Sequence, residues 1–420
     1  MRPGFRKAAF VGAVAACVSG SAAAAGFQLL EQNASGIGNA YAGSAAVAEN
    51  AATIFFNPAG MTRLKDREYS VGLTAVEPSF KFENGGSTVP NAGAASLSGS
   101  GGDGGSLSYV PNAYLSWALN KDVYLGLGVS GPFGLMTEYG NTWLGAAQSI
   151  KFDIKTYNLN PSVAWRVNDR VSLGFGLNLM RMDVEYLKRY AALPRAPATA
   201  RNPIAKLTAD DDAWGWNAGV LFDLTPATRI GISYRSKVKQ QLDGKLAIAG
   251  VTSFGAKADL DLPDTAILSI VHQLNPDWEL LGDISWTGWS SVPKVDIVSK
   301  ATGTVVQRLN TAFDDSMRVA VGANYRLNPA WKLKFGVAYD SSPVPDADHR
   351  LVSLPDNDRL WLSVGAQWQA GKDATLDLGA AYLYVRNTDI NAVSAATGTT
   401  VKGSYDSYVK LIGLQFSQAF

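Results

Sequence analysis

The 420 residues carry 37 lysines and arginines against 36 acidic residues, a formal net charge of +1. That balance gives no pull toward nucleic acid or a strongly anionic surface. Hydrophobic residues make up 47% of the chain, yet after residue 25 no apolar run reaches the ~18 residues that a membrane helix needs. The single cysteine, Cys17, leaves everything after it without disulfides or cysteine-ligated metal.

Residues 1–25 have the three parts of a secretory signal. Arg2, Arg6 and Lys7 form the basic region, 8–18 the apolar one and 21–25 the small-residue cleavage region. Cleavage is expected near Ala24 or Ala25, after export from a Gram-negative cytoplasm. A lipoprotein signal ending at Cys17 ranks lower, because the alanine run that follows would then serve no purpose. Residues 26–64 come next and show no period-2 alternation. They are rich in Ala, Gly and Asn, and their apolar run ends at Asn57-Pro58. Such a segment packs inside another structure without needing a core of its own, so it is expected to plug a membrane barrel.

From Glu68 onward the pattern is strand and turn. Trp214, Trp216, Ala218, Val220, Phe222 and Leu224 alternate with smaller or more polar residues, as do Trp331, Leu333, Phe335, Val337 and Tyr339. Periodicity alone fits a soluble sandwich as well as a lipid-facing wall. The signal segment, the aromatic strand ends and the long polar loops favour the wall. Turn formers recur at 120–122, 168–170, 225–227, 275–277, 328–330 and 371–373. Longer polar segments fall at 84–108, 131–153, 188–212, 243–257, 291–311, 341–358 and 387–403. Six turns and seven loops join fourteen strands, which places both termini on the periplasmic side. The last strand, 404–420, puts Tyr408, Ile412, Leu414, Phe416 and Phe420 on one face.

Several segments resemble the FadL family of outer-membrane transporters of long-chain fatty acids and other hydrophobic compounds. They are Gly26-Phe27-Gln28-Leu29, the run from Ser35 to Gly43, and Asn57-Pro58-Ala59 at the N-terminus. In the body they are Asn158-Leu159-Asn160-Pro161, Trp214 to Gly219, Tyr234-Arg235-Ser236, Ser342 to Pro345, and Pro355 to Arg359. The resemblance covers nearly the whole chain after the signal. It implies an all-β fold, a 14-stranded antiparallel transmembrane β-barrel with an N-terminal hatch in its lumen. The divisions are then 1–25 signal, 26–66 hatch and 67–420 barrel. It also implies an outer-membrane location and a terminal Phe420 recognised by the barrel-assembly machinery.

The implied activity is passive uptake of hydrophobic compounds, long-chain fatty acids first, by a monomer lying in lipid and lipopolysaccharide, with no cofactor, metal or nucleic-acid partner. A carrier of neutral hydrocarbons or aromatics is the alternative. A polar porin is disfavoured by the plug, and an adhesin or phage receptor without transport also stays open. Nothing points to an enzyme: His272 and His349 lie outside any nucleophile motif such as G-x-S-x-G. Asp210-Asp211-Asp212 reads as a solvated loop rather than a cation site.

Site expectations follow. Gly26, Phe27, Gln28, Asn57, Pro58 and Ala59 belong to the hatch. Gly131-Pro132-Phe133-Gly134 interrupts the clean alternation of the third strand, Val123 to Val129, since proline removes a ladder bond that a closed barrel cannot spare. Gly134 to Glu138 resembles the kinked third strand of the family, so a lateral gate is expected there. Leu135, Met136, Trp143 and Leu144, with Phe133, are expected as exposed apolar groups that capture substrate outside. Alternation puts Arg235, Arg318 and Arg326 on the lumen side, with Arg235 and Arg318 as candidate carboxylate contacts. Asp183 and Asp314 stand near positions where fatty-acid carriers have bases, which argues against an anionic substrate. A partly solvated ion pair contributes ~1 kcal/mol or less, against ~0.8 kcal/mol for each buried methylene, so chain length is expected to outweigh charge.

Overall fold

The computed structural model describes residues 26–89, 97–189, 203–394 and 398–420; the expected signal segment lies outside the described residues. From Arg67 onward the chain forms a closed antiparallel barrel of fourteen strands. These are β1 Arg67–Asn84, β2 Ser108–Ala118, β3 in two pieces Val123–Ser130 and Gly134–Glu138, β4 Lys151–Arg166, β5 Val171–Arg189 and β6 Ile204–Thr225. Then follow four more strands in two pieces: β7 Thr228–Arg235 with Val238–Ile248, β8 Thr252–Leu262 with Thr265–Gln273, β9 Trp278–Thr287 with Val295–Ser299, and β10 Val305–Leu309 with Ser316–Asn328. The last are β11 Trp331–Asp340, β12 Arg359–Gln369, β13 Ala374–Val385 with Thr388–Ser394, and β14 Thr399–Ala419. β14 pairs with β1 from Glu68↔Ala419 to Asn84↔Gly403, which closes the wall and removes the edges.

The turn chemistry explains the short connections. Asn120, Asn168, Asn275 and Asn328 each accept, through Oδ1, the backbone N–H groups two and three residues on. One side chain thus satisfies two donors that the hairpin leaves open. Outward-facing side chains are apolar along the mid-wall, as at Leu73, Leu127, Leu177, Ile232, Val321 and Leu362. Trp117, Trp165, Trp278, Trp331 and Trp368 ring the turn end, and Trp214, Tyr339 and Tyr384 stand on the outer face toward the other. This is an apolar band between two aromatic girdles, the surface that a barrel presents to lipid.

Four of the expected long loops are not loops. Among the described residues, strand takes in 188–189 and 204–212, most of 243–257 and 387–403 and about half of 291–311, and β5 pairs with β6 from Val171↔Phe222 as far as Arg189↔Ile204. Beyond the lipid band the outer face meets water, so its residues turn charged while the backbone ladder continues. Arg181 there pairs with Asp183, Asp210 and Asp212 at 3.1, 2.9 and 3.3 Å. Alternation disappears from the sequence at that point, although the strand does not.

Residues 26–64 fill the lumen with short turns and no strand: Ile37–Asn39, Thr53–Phe56 and Pro58–Arg63. Lumen-facing side chains of the wall hold them. Lys334, only 1% exposed, reaches Ser35 O at 3.0 Å, Glu49 at 2.5 Å and Asp377 at 2.9 Å. Asn39 donates to Ala323 O, Phe335 O and Asn324 Oδ1. Asn57 donates to Ala45 O and to Val220 O of the wall, and accepts from Ala59 N. Backbone meets backbone at Gly336 and Gly231, where an added Cβ would lie 2.1 Å from Asn39 C and 2.0 Å from Ala45 O.

Candidate functional site

The wall is interrupted where the third strand breaks. The β2–β3 ladder ends at Ala113↔Val129, and β3 resumes at Gly134 paired only with β4. Residues 131–133 therefore lack strand partners, and Pro132 sits where no N–H is required. Thr156 of β4 serves Phe133 instead, its hydroxyl accepting from Phe133 N at 2.9 Å and donating to Phe133 O at 2.7 Å. On the lumen side the missing partner is the N-terminal segment. Leu29 N donates to Pro132 O and Gly134 N to Phe27 O, both at 2.8 Å. Gln32 completes the seam, with Nε2 donating to Gly131 O and Oε1 accepting from Gly131 N.

Two cavities flank that segment. An apolar one of about 50 Å³ is lined by Phe27, Leu135, Ile154, Leu242, Leu260 and Phe313 among others. A second, of about 40 Å³, contains Gln28, Leu29, Leu30, Phe55, Arg235 and Arg318. Consecutive residues thus separate the two: Phe27 faces the first and 28–30 the second. Phe27 packs edge-on against Trp289 at 4.7 Å and tilted against Phe133 at 6.0 Å, so the floor between the cavities touches the strand break. Gln28 is fixed by Thr265 and Thr287, and Gly26 N donates to Asp356 Oδ2 at 2.8 Å. A water needs roughly 10–15 Å³, so neither cavity admits a long chain until side chains move.

The two arginines do share one cavity, with unequal surroundings. Arg318 stands opposite Asp340 in the β10–β11 ladder, and Asp340 opposite Arg359 in the next. Arg235 is bound instead by Asn178 Oδ1 and Phe55 O, lies 4.2 Å over the Phe55 ring, and makes no ion pair among the described residues. A buried cation whose partners are all neutral leaves charge for an anion to meet. Arg326 shares the lumen-side register but lies exposed at the turn end.

Three expectations are corrected. Leu135 and Trp143 are not exposed but 1% accessible; Leu135 lines the apolar cavity, and Trp143 stacks on Tyr139 at 4.4 Å beneath the outer segments. Met136 and Leu144 are half-buried beside them. Apolar residues in a polar segment here make a cap over the lumen rather than an external patch. Asp183 points outward to Arg181, and Asp314 is exposed in a connection. Neither reaches the lumen, so they do not argue against an anion. Asp210 and Asp212 belong to β6 rather than to a loop, paired with Arg181. His349 bonds Asp346, and His272 bonds Thr228.

Sequence reasoning passed over Gln32, Thr156 and the asparagines around Arg235. Polar residues alternating along a lumen face carry no mark that separates these from the rest.

The matching family model covers residues 15–420 and is described as "Outer membrane protein transport protein (OMPP1/FadL/TodX)". The chain is 30% identical to the long-chain fatty acid transport protein of Escherichia coli (strain K12), covering 92% of this chain and 94% of that protein. It is 32% identical to outer membrane protein P1 of Haemophilus influenzae, with 96% of each covered. Among solved structures, a Pseudomonas aeruginosa FadL homologue superimposes with a TM-score of 0.85 at 24% identity, over 94% of this chain and 99% of that one. The Pseudomonas putida toluene transporter TodX gives 0.68 at 17%, over 94% and 100%. The family match thus runs along the chain and the barrel fold is shared, and the protein belongs to the OMPP1/FadL/TodX family of outer-membrane transport proteins.

Proposed function

We propose that this barrel takes up long-chain fatty acids without an energy source and releases them sideways into the outer membrane through the break in β3. The observation that carries this reading is the seam between residues 27–32 and 131–134. One short segment closes both the passage between the two cavities and the lapse in the wall, so its displacement opens both. An alkyl chain enters the apolar cavity from the loop side, pushes Phe27 aside and brings its carboxylate to Arg235.

Sideways release suits the solute. Passage into periplasmic water would re-expose each methylene at ~0.8 kcal/mol, whereas passage into lipid would not. The curated relatives named as long-chain fatty acid transport proteins support the substrate class. The buried, ion-pair-free Arg235 favours an acid over the neutral hydrocarbons that the toluene transporters carry by name. Residues 26–66 act as the hatch throughout, and Phe420 at the end of β14 serves recognition by the assembly machinery.

The test is uptake of a labelled long-chain acid by cells that lack their own carrier. Gly134→Val, which stiffens the break with a β-branched side chain, should abolish uptake while surface expression and ligand binding persist. Normal uptake through a folded Gly134→Val barrel would rule out the lateral route.

A further inference from the structure

A line of buried polar side chains leads along the wall from Arg235 to the strand break. Arg235 Nη1 donates to Asn178 Oδ1, and Asn158 Nδ2 donates to the same oxygen at 3.1 Å. Asn158 stands opposite Ser130 in the β3–β4 ladder, and Ser130 is the last residue before the break. Asn217 and Asn160 run alongside, with Asn217 Oδ1 accepting from both Asn160 Nδ2 and Asn178 Nδ2 at 3.0 Å. All are under a tenth exposed. Several keep a polar atom without a hydrogen bond, namely Asn158 Oδ1, Asn160 Oδ1, Asn217 Nδ2 and Ser162 Oγ, while Ser130 Oγ lies against the Tyr114 hydroxyl. Unpaired buried polar atoms are costly and call for a partner. Four such atoms lie together in one stretch of wall that begins at a cation without a carboxylate partner among the described residues.

The opposite side of the row is apolar. Phe55 lies beneath the Arg235 guanidinium, and Ile54 packs against the wall where Gly126 and Gly128 leave out a side chain. Amides on one side and hydrocarbon on the other make an amphipathic slot.

We infer that this row is a head-group track. It accepts the hydrogen-bonding head of a single-chain amphiphile from Arg235 and hands it, through Asn178, Asn158 and Ser130, to the gap at 131–133. The tail slides over Ile54 and Phe55 meanwhile. Donors for a carboxylate come from Arg235, from Asn217 Nδ2 and from the hydroxyls of Ser162 and Ser130, while the asparagine oxygens accept from a protonated acid. Without the track, a head leaving Arg235 would cross the lumen with no partner. The inference rests on the lateral-release reading above and adds the residues that carry the head.

The experiment separates binding from flux. Asn158→Leu, Asn158→Ser and Ser130→Ala are made in the full-length protein and checked for heat-modifiable migration, the mark of a folded barrel. Equilibrium binding of a fluorescent long-chain acid should stay within twofold, since Arg235 and the apolar cavity are untouched. Uptake should fall five- to tenfold in Asn158→Leu, less in Ser130→Ala, and recover in Asn158→Ser, which keeps a hydrogen-bonding group. Equal losses in Asn158→Ser and Asn158→Leu, or affinity falling together with flux, would assign the row to structure alone and overturn the track. Unchanged uptake in all three, with Gly134→Val still blocked, would remove the track and leave lateral release standing. Normal uptake in Gly134→Val would remove both. Should Asn158→Leu fail to fold, the fall in Ser130→Ala decides the matter, because it deletes one oxygen without adding volume.

Discussion

Arg235 and Arg318 face one cavity, yet only Arg318 has an acidic residue opposite it in the ladder. In the proposed uptake, the carboxylate therefore falls to Arg235. A hydrogen bond to a charged group is worth ~1.5–3 kcal/mol when buried, more than the ~1 kcal/mol of a solvated pair. Arg235→Leu should weaken binding of a long-chain acid by about tenfold or more and leave the corresponding alcohol nearly unaffected. Arg318→Leu should instead loosen the packing of residues 40–41, because its guanidinium holds Ala40 O and lies over Trp361. Displacement titrations with the acid and the alcohol check both. Alternation alone placed these arginines on the lumen side. It could not rank them, because the difference lies in neighbours contributed by other strands and by Phe55 of the hatch.

Among elements, residues 26–64 are anchored to the wall by a buried cation. Lys334 is shared by Glu49 and Asp377, with Lys334 and Asp377 each 1% exposed. Removing the cation takes away the ion-pair partner of buried Asp377 and leaves Glu49 with Lys332 alone, at 3.4 Å; breaking a comparable buried pair costs ~3–5 kcal/mol. Lys334→Met should therefore unseat the hatch and leave the barrel intact, seen as proteolysis within 26–64 and flickering conductance in planar bilayers. Deleting 26–64 with the signal retained should go further, giving a folded barrel with steady conductance to polar solutes. Unchanged conductance after that deletion would mean that the segment is no plug. That residues 26–64 form no strand was legible, because their small residues lack any strand period. The strand break was legible because proline and two glycines interrupt a clean alternation. The anchoring of the hatch was not, since Gly336 and Gly231 read as ordinary strand glycines until the backbone of residues 39 and 45 is seen against them.

At the scale of the whole molecule, closure does not involve the hatch: β14 pairs with β1 along its length, and each remaining strand finds a neighbour in the wall. Fourteen strands were countable from turn chemistry, because one asparagine per hairpin does the same work in four of the six turns. The height of the barrel was not, because its upper strands meet water on their outer face and lose their pattern there. The wall is interrupted at 131–133, and residues 27–32 lie against that interruption from the lumen side. In the proposed function, solute leaves through that interruption.

A reducible bridge tests this most directly. Pro111 and Gly131 would face each other if the β2–β3 ladder ran one pair past Asn112, two past its observed end. In a Pro111→Cys/Gly131→Cys barrel, with the disulfide verified by mass spectrometry, uptake of a long-chain acid should be lost when oxidised and regained on reduction, with binding the same in both states. Undiminished uptake through the oxidised, bridged barrel would contradict the account.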